Sequence, residues 1–340
     1  MHDLSLLAAG AILASLILYA LLGGADFGGG VWDLLSRGPR SPAHRALIAQ
    51  AIGPIWETNH IWVIVAVVIL FTGFPHAFAL VSTALFLPVT LLLAGIVLRG
   101  AAFAFHSYHL HDEEGERRRW GLVFAGSSLI TPLLLGVVIG AVSSGGIRAA
   151  EAAAFGASRA WLAPFPISVG FLTLSVFSYL AAVYLIFETD DPALREDFRL
   201  RALWSSAAVG VLMVIVPLLA RRGAQDFHHS LLGSDWSPGL VFLAATAALG
   251  AHVSLLLRSY PVARICAAAQ AVIILAGWGA AQYPFLVRPD VTVPAAASPQ
   301  ATLRFLLIAL AAGGMFLFPA IGWLFWVFKK DAVFGRTRNP

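Results

Sequence analysis

One feature constrains the fold of this chain most: a carboxylate lies in the middle of a segment that is apolar enough to cross a membrane. Residues 48–71 read IAQAIGPIWETNHIWVIVAVVILF, and Glu57, Asn59 and His60 lie inside that run. A charge near the bilayer centre costs at least ~2.5 kcal/mol, so a chain that keeps one there usually handles protons or ions with it. A second acid, Asp26, stands in the sequence GGADFGGG towards the end of the preceding apolar run.

The composition is that of a membrane protein with several spans. Hydrophobic residues make up 59% of the chain and charged residues 12%, with a mean hydropathy of +0.83, whereas a soluble domain is about 25% charged. The net charge of +4 comes without a long basic tract, so no nucleic-acid partner is expected. The first apolar run lacks a basic leader and is interpreted as a spanning helix, not a signal peptide.

Nine segments are long enough to span a bilayer, which takes about 20 apolar residues. They are 4–35, 47–72, 76–105, 120–142, 161–187, 202–220, 238–257, 262–283 and 303–328. The loops between them are short, so residues 1–340 are predicted to form a single integral membrane domain. Most of the 22 lysines and arginines, with Arg99 counted among them, fall in the inner loops if the N-terminus is outside and the C-terminus inside.

Few of the 18 carboxylates lie within these spans: Asp26, Asp33 and Glu57. Asp33 is expected at the inner surface. Glu57 is about ten residues into its span, roughly 15 Å and hence close to mid-membrane. His60 follows three residues later on the same helix face, so the two could pass a proton or form a buried structural pair. Asn59 is suited to a hydrogen bond across a helix interface.

Histidines inside spans raise the question of a haem. His60 and His252 are within spans, but the sequence does not show whether any two histidines face each other. The absence of C-x-x-C-H excludes covalently attached haem. The histidine groups at 106–111 and 228–229 are interpreted as solvated loop residues. No metal site or cofactor site is therefore assigned to this chain.

The first two segments resemble the opening of subunit II of the cytochrome bd-type quinol oxidases. The resemblance rests on YALLGGADFGGGVWDLL (residues 19–35) and AIGPIWETNHIWVIVAVVILF (residues 51–71). Weaker matches at 126–147, 162–185, 282–289 and 326–336 extend it over nearly the whole chain. The matching motif residues are Gly24, Gly28, Pro54, Trp56, Asn59 and Trp62, together with the acids Asp26 and Glu57.

The resemblance implies an all-α fold of nine transmembrane helices, arranged as two four-helix bundles plus one peripheral helix. It implies a heterodimer with a homologous subunit I, which carries b- and d-type haems and the quinol site, in a prokaryotic cytoplasmic membrane. The complex would oxidise quinol and reduce O2 to water. In this chain Glu57 would lie on a proton route from the inner side, supported by Asp26 and His60. The resemblance does not decide whether this subunit binds a quinone or a lipid, or whether a small accessory subunit is present.

The chain departs from the family pattern at the motif acid. Glu57 and Thr58 stand where the family usually has aspartate and a small residue, and His60 replaces what is often a neutral polar residue or an acid. Two alternatives are therefore kept. One is a proton-coupled transporter built around Asp26, Glu57 and His60. The other is a purely structural membrane partner, in which the acids are packing groups satisfied by hydrogen bonds.

Overall fold

The computed structural model describes residues 2–52, 56–108, 114–148 and 159–334. Thirteen α-helices lie in these ranges. They are α1 (His2–Leu35), α2 (Ser41–Ile52), α3 (Trp56–Gly73), α4 (Pro75–Ala84), α5 (Phe86–Tyr108), α6 (Glu114–Ser143), α7 (Pro164–Leu185), α8 (Pro192–Gly223), α9 (Gln225–Leu232), α10 (Ser237–Leu256), α11 (Tyr260–Gln282), α12 (Val293–Ala296) and α13 (Gln300–Phe334).

Eight helices in the described ranges are long and apolar enough to cross a membrane, and α3 with α4 counts as a ninth if this bent pair is one span. The axes of α3 and α4 differ by 115°. The expectation of an all-α protein with many spans is confirmed. The grouping into two four-helix bundles and the orientation of the termini stay predictions.

The third predicted span differs from the helices observed, and the second is described only in part. For the predicted segment 47–72, the structure describes α2 and α3, and residues 53–55 lie outside the described part. The predicted segment 76–105 is interrupted at Leu85 between α4 and α5. Pro88 explains the interruption, because it has no N–H to bond the carbonyl of Ala84 and its ring would clash with that carbonyl. Helix α5 begins within three residues of this proline, where a proline is tolerated.

A short hairpin occupies part of the predicted loop 284–302. Strand β1 (Phe285–Val287) pairs antiparallel with β2 (Val291–Thr292). Val287, Val291 and Val293 are buried, and β-branched side chains suit a strand that packs on one face. The segment therefore folds onto the ends of the spanning helices.

Helix α1 is central, packing against α3, α6 and α7. On its α7 side, the indole Nε1 of Trp32 donates a 2.7 Å hydrogen bond to the backbone oxygen of Ser178. Gly24 and Gly28 lie against Phe177 of α7, where any Cβ would collide. Small residues let helix backbones approach closely inside a membrane, where the hydrophobic effect does not drive helices together.

The last carbonyl groups of α3 accept hydrogen bonds from a residue far away in the chain. The backbone N–H of Ser298 donates to the backbone oxygen of Gly73 at 2.8 Å, and its hydroxyl donates to that of Thr72 at 2.7 Å. The last carbonyls of a helix have no partner within the helix. Ser298 supplies two donors to them at the point where the chain turns into α4.

Candidate functional site

Asp26 and Asn59 form the centre of a buried polar cluster. Asp26 of α1 is 3% exposed and Asn59 of α3 is fully buried. The amide Nδ2 of Asn59 donates a hydrogen bond of 2.6 Å to Oδ2 of Asp26. The structure thus joins the two sequence motifs through the side chains that the sequence singled out, and Asn59 bridges two helices as an interfacial asparagine is expected to do.

Arg99 belongs to the same cluster, which corrects the sequence prediction that it is an inner-loop charge. It lies in the interior of α5 and is fully buried. Its Nε donates to the hydroxyl of Ser128 on α6 at 3.3 Å, and the guanidinium interacts electrostatically with Asp26. Isolated charge inside a membrane is costly, so the opposite charges of Arg99 and Asp26 explain how both are retained there.

Aromatic rings complete the surroundings of Arg99. Its guanidinium carbon lies 4.6 Å from the ring centre of Phe27 and 5.3 Å from that of Phe124. Such cation–π contacts stabilise a cation more strongly where water is excluded. The position of Arg99 inside a span could have been predicted from the sequence, because Arg99 lies well inside the predicted segment 76–105 with apolar residues on both sides.

His60 lies between Arg99 and Tyr19. Its Nε2 is 3.5 Å from a terminal nitrogen of Arg99, and its Nδ1 is 3.5 Å from the hydroxyl of Tyr19. Arginine has no acceptor, so Nε2 of His60 is the acceptor in this contact. Both ring nitrogens are therefore engaged, and the imidazole holds α1, α3 and α5 together at this level.

Two atoms of the cluster have hydrogen-bonding capacity left. Within the part of the chain that the structure describes, Oδ1 of Asn59 and the second terminal nitrogen of Arg99 are buried and have no hydrogen-bond partner. One is an acceptor and the other a donor. The cluster can therefore interact with a further polar group without giving up the contacts above.

The remaining motif residues are placed as follows. Trp62 is 5% exposed, with its ring centre 5.8 Å from that of Phe318 on α13. Trp56 and Glu57 are in the first turn of α3, but their side chains lie outside the described part of the chain, as does Pro54. The expected contact between Glu57 and His60 is therefore not described.

A second polar cluster joins the end of α1, α2 and the start of α8. Asp197 accepts hydrogen bonds from Arg40 at 2.7 Å and from Nε2 of the buried His44 at 2.8 Å. The Asp197 hydrogen bond raises the pKa of the Arg40 guanidinium. Arg201 donates to Nδ1 of His44 at 3.2 Å and to the hydroxyl of Ser36 at 3.3 Å. From the sequence, Arg40, Asp197 and Arg201 were predicted to be loop charges.

The fold and the cluster define the class: an all-α protein with many membrane spans and ionisable side chains in its interior. The chain belongs to the family described as cytochrome bd terminal oxidase subunit II, whose sequence profile matches residues 4–328. It is thus a terminal oxidase subunit, as the resemblance predicted.

Individual relatives agree with this family. The chain is 22% identical over 346 residues to the putative cytochrome bd menaquinol oxidase subunit II of Bacillus subtilis strain 168, covering 98% of each protein. It is 30% identical over 130 residues to the cytochrome bd-I ubiquinol oxidase subunit 2 of Escherichia coli K12, covering 38% of this chain and 33% of the relative. The solved bd oxidase from Geobacillus thermodenitrificans contains a similar fold, with a TM-score of 0.76 at 20% identity, covering 96% of this chain and 99% of that one.

Proposed function

We propose that this chain is the second subunit of a bd-type oxidase that oxidises quinol and reduces O2 to water. The haem and quinol chemistry would take place in a homologous partner subunit that carries b- and d-type haems. Family membership supports this proposal. The names of the relatives include both a menaquinol and a ubiquinol oxidase, so the proposal names quinol only as a class.

The buried cluster suggests what this subunit adds to the complex. Asp26, Asn59 and Arg99 hold ionisable and hydrogen-bonding groups inside a spanning region. Such groups inside a membrane are costly and mark proton or ion routes. The observation that carries the proposal is the 2.6 Å bond between Asp26 and Asn59 beside a fully buried arginine. We assign this cluster to a proton route that starts at the inner face of the membrane.

Different roles follow for the individual residues. Glu57 is two residues before Asn59 on α3 and is the group proposed to accept protons. Asp26 would extend the route, with Arg99 balancing its charge. Both nitrogens of His60 have neighbours within hydrogen-bonding reach, so His60 is proposed to support the route by positioning these helices and not to carry the proton itself.

A structural role is the main rival, since the same contacts tie α1, α3, α5 and α6 together. In that case the acids would serve packing, and turnover would depend only on assembly with the partner. The two alternatives differ in one respect: a packing role tolerates a neutral side chain of similar shape, whereas a proton carrier does not.

The first test is purification of the complex through a tag on this chain. A reduced-minus-oxidised spectrum should show haem, and quinol should drive O2 uptake. A haem-free chain that purifies alone would contradict the oxidase proposal and favour the transporter alternative, which uptake assays in vesicles would then examine.

Variants of Glu57 test the proton route in the assembled complex. Glu57→Leu and the similarly shaped, neutral Glu57→Gln should both lower quinol-driven turnover roughly tenfold or more, as expected for loss of an acid–base group, while Glu57→Asp keeps most of it. Asp190→Asn is the control, because the side chain of Asp190 is 94% exposed. Haem content is measured for each variant. Normal turnover in Glu57→Leu with full haem content would refute the proton role.

A further inference from the structure

A polar pocket lies at one end of the helices, away from the cluster around Asp26. It has a volume of about 290 Å³ and is surrounded by the ends of α6 and α8, the start of α9 and the β1–β2 hairpin. Because two spanning helices end there, we expect the pocket at the membrane surface, at the depth of lipid headgroups. Loop arginines place this end on the predicted outer face.

Three arginines line this pocket: Arg148, Arg222 and Arg288. Asp226 also lines it, and Asp290 is 3.7 Å from Arg148. Among the residues that the structure describes around this pocket, the positive charges thus outnumber the negative ones. Helix α9 begins at the pocket with Ala224 as its N-cap, whose side chain makes no capping hydrogen bond. The first amide groups of a helix attract anions, so the backbone reinforces the positive potential.

Arg288 is the part of the pocket that points most clearly to a ligand. It is 3% exposed, and burial lowers the pKa of its guanidinium. A terminal nitrogen donates to the backbone oxygen of Ala281 and to the hydroxyl of Ser230. Its Nε is buried and has no hydrogen-bond partner in the described ranges of the chain. A buried cation with an unused donor is suited to bind an anion.

A larger apolar cavity of about 750 Å³ lies next to the polar pocket. The two share Ser143 and Phe227 in their walls. The larger cavity runs between α1, α6, α7, α8, α9, α10 and α11 and is lined almost entirely by apolar side chains. A charged pocket at the surface beside an apolar cavity within the membrane matches a molecule with an anionic head and a hydrocarbon chain.

We propose that these two cavities together bind one anionic phospholipid, with its phosphate against Arg288, Arg222 and Arg148 and an acyl chain in the apolar cavity. This proposal is independent of the proton route. Arg288 supplies the buried contact, and the two exposed arginines close the pocket from outside.

The binding test uses the detergent-purified complex after removal of lipid. Short-chain phosphatidylglycerol, inorganic phosphate and dioctanoylglycerol, which lacks the phosphate, are added separately, and bound molecules are counted by native mass spectrometry. Phosphatidylglycerol should bind, and dioctanoylglycerol should bind much more weakly. Equal binding of the two would overturn the proposal, since the arginines would then contribute nothing.

Matched variants separate the two halves of the site. Arg222→Gln should weaken phosphatidylglycerol binding roughly tenfold, as expected for one charged hydrogen bond, whereas Arg221→Gln should not, because Arg221 is also exposed but does not line the pocket. Equal effects of the two would indicate general surface charge and refute the site.

The role of the larger apolar cavity is tested by a substitution that fills part of it. Gly210 lines the larger cavity, and a Cβ there meets nothing within 4 Å, so Gly210→Leu should reduce phospholipid binding. Gly239→Leu is the control, because Gly239 has the same free space and lines neither cavity. Two results together would overturn the lipid assignment: inorganic phosphate binds as tightly as phosphatidylglycerol, and Gly210→Leu has no effect on binding. The pocket would then be a site for free phosphate.

Discussion

The contact between α1 and α7 at Gly28 allows a sharp test of how the fold positions the cluster. A Cβ at residue 28 would lie 2.6 Å from the carbonyl carbon of Phe177 and 2.7 Å from Cβ of Ala181, and closer still to the carbonyl oxygen of Phe177. Ordinary van der Waals contact begins at 3.4 Å, so α1 and α7 would have to separate by about 0.8 Å or more in Gly28→Ala.

Gly10 of the same helix supplies the control, since a Cβ there meets nothing within 4 Å. Both glycine-to-alanine changes gain the same helix propensity, about 1 kcal/mol. The difference between the two variants therefore isolates the packing cost, expected at about 1–3 kcal/mol from overpacked cores. Gly28→Ala should be the less stable variant by that amount.

The measurement is unfolding of the purified complex with increasing SDS in mixed micelles, followed by tryptophan fluorescence. The separation of the helices would also displace Asp26 from Asn59, so Gly28→Ala should lose turnover while Gly10→Ala keeps it. Equal stability and equal activity of the two variants would refute the view that α1 packs backbone to backbone on α7.

Two further predictions concern the charged clusters. Asp26→Leu and Asp26→Asn both remove the charge that compensates the buried Arg99, so each should destabilise the complex by about 3–5 kcal/mol, with Asp26→Asn less affected by about 1 kcal/mol because it can still accept from Asn59; SDS unfolding compares both with the unsubstituted complex, and a loss below about 1 kcal/mol in Asp26→Asn would contradict the charge argument. Arg40→Ala should cost at most about 1 kcal/mol, because its side chain is 55% exposed, whereas Asp197→Ala should cost about 1–3 kcal/mol by leaving Nε2 of the buried His44 unpaired; a larger loss in Arg40→Ala than in Asp197→Ala would contradict this ranking.

Most of the spanning helices could be predicted because a long apolar run has few alternatives inside a membrane. The positions at which the helices are interrupted were harder to predict. The interruption at Leu85 depends on Pro88 at the start of α5, and hydropathy alone does not distinguish a proline that begins a helix from one inside a long span. The hairpin at 285–292 was missed because its strands are only two and three residues long.

The cluster around Asp26 was predicted in part. Acids inside spans are conspicuous, so Asp26 and Asn59 could be singled out from the sequence. Arg99 was missed because arginines in membrane proteins were assigned to loops as a group, although its neighbours on both sides are apolar. The role of Tyr19 beside His60 depends on contacts between residues 41 positions apart, which no local pattern reveals.

The closure of α3 by Ser298 has a consequence for the order in which the protein is made. The hydroxyl of Ser298 bonds a carbonyl 226 positions earlier in the chain. Synthesis proceeds from the N-terminus, so α3, which carries Asn59, is inserted long before its final donor exists. That end of α3 therefore receives its last two hydrogen bonds only after the segment before α13 has been made.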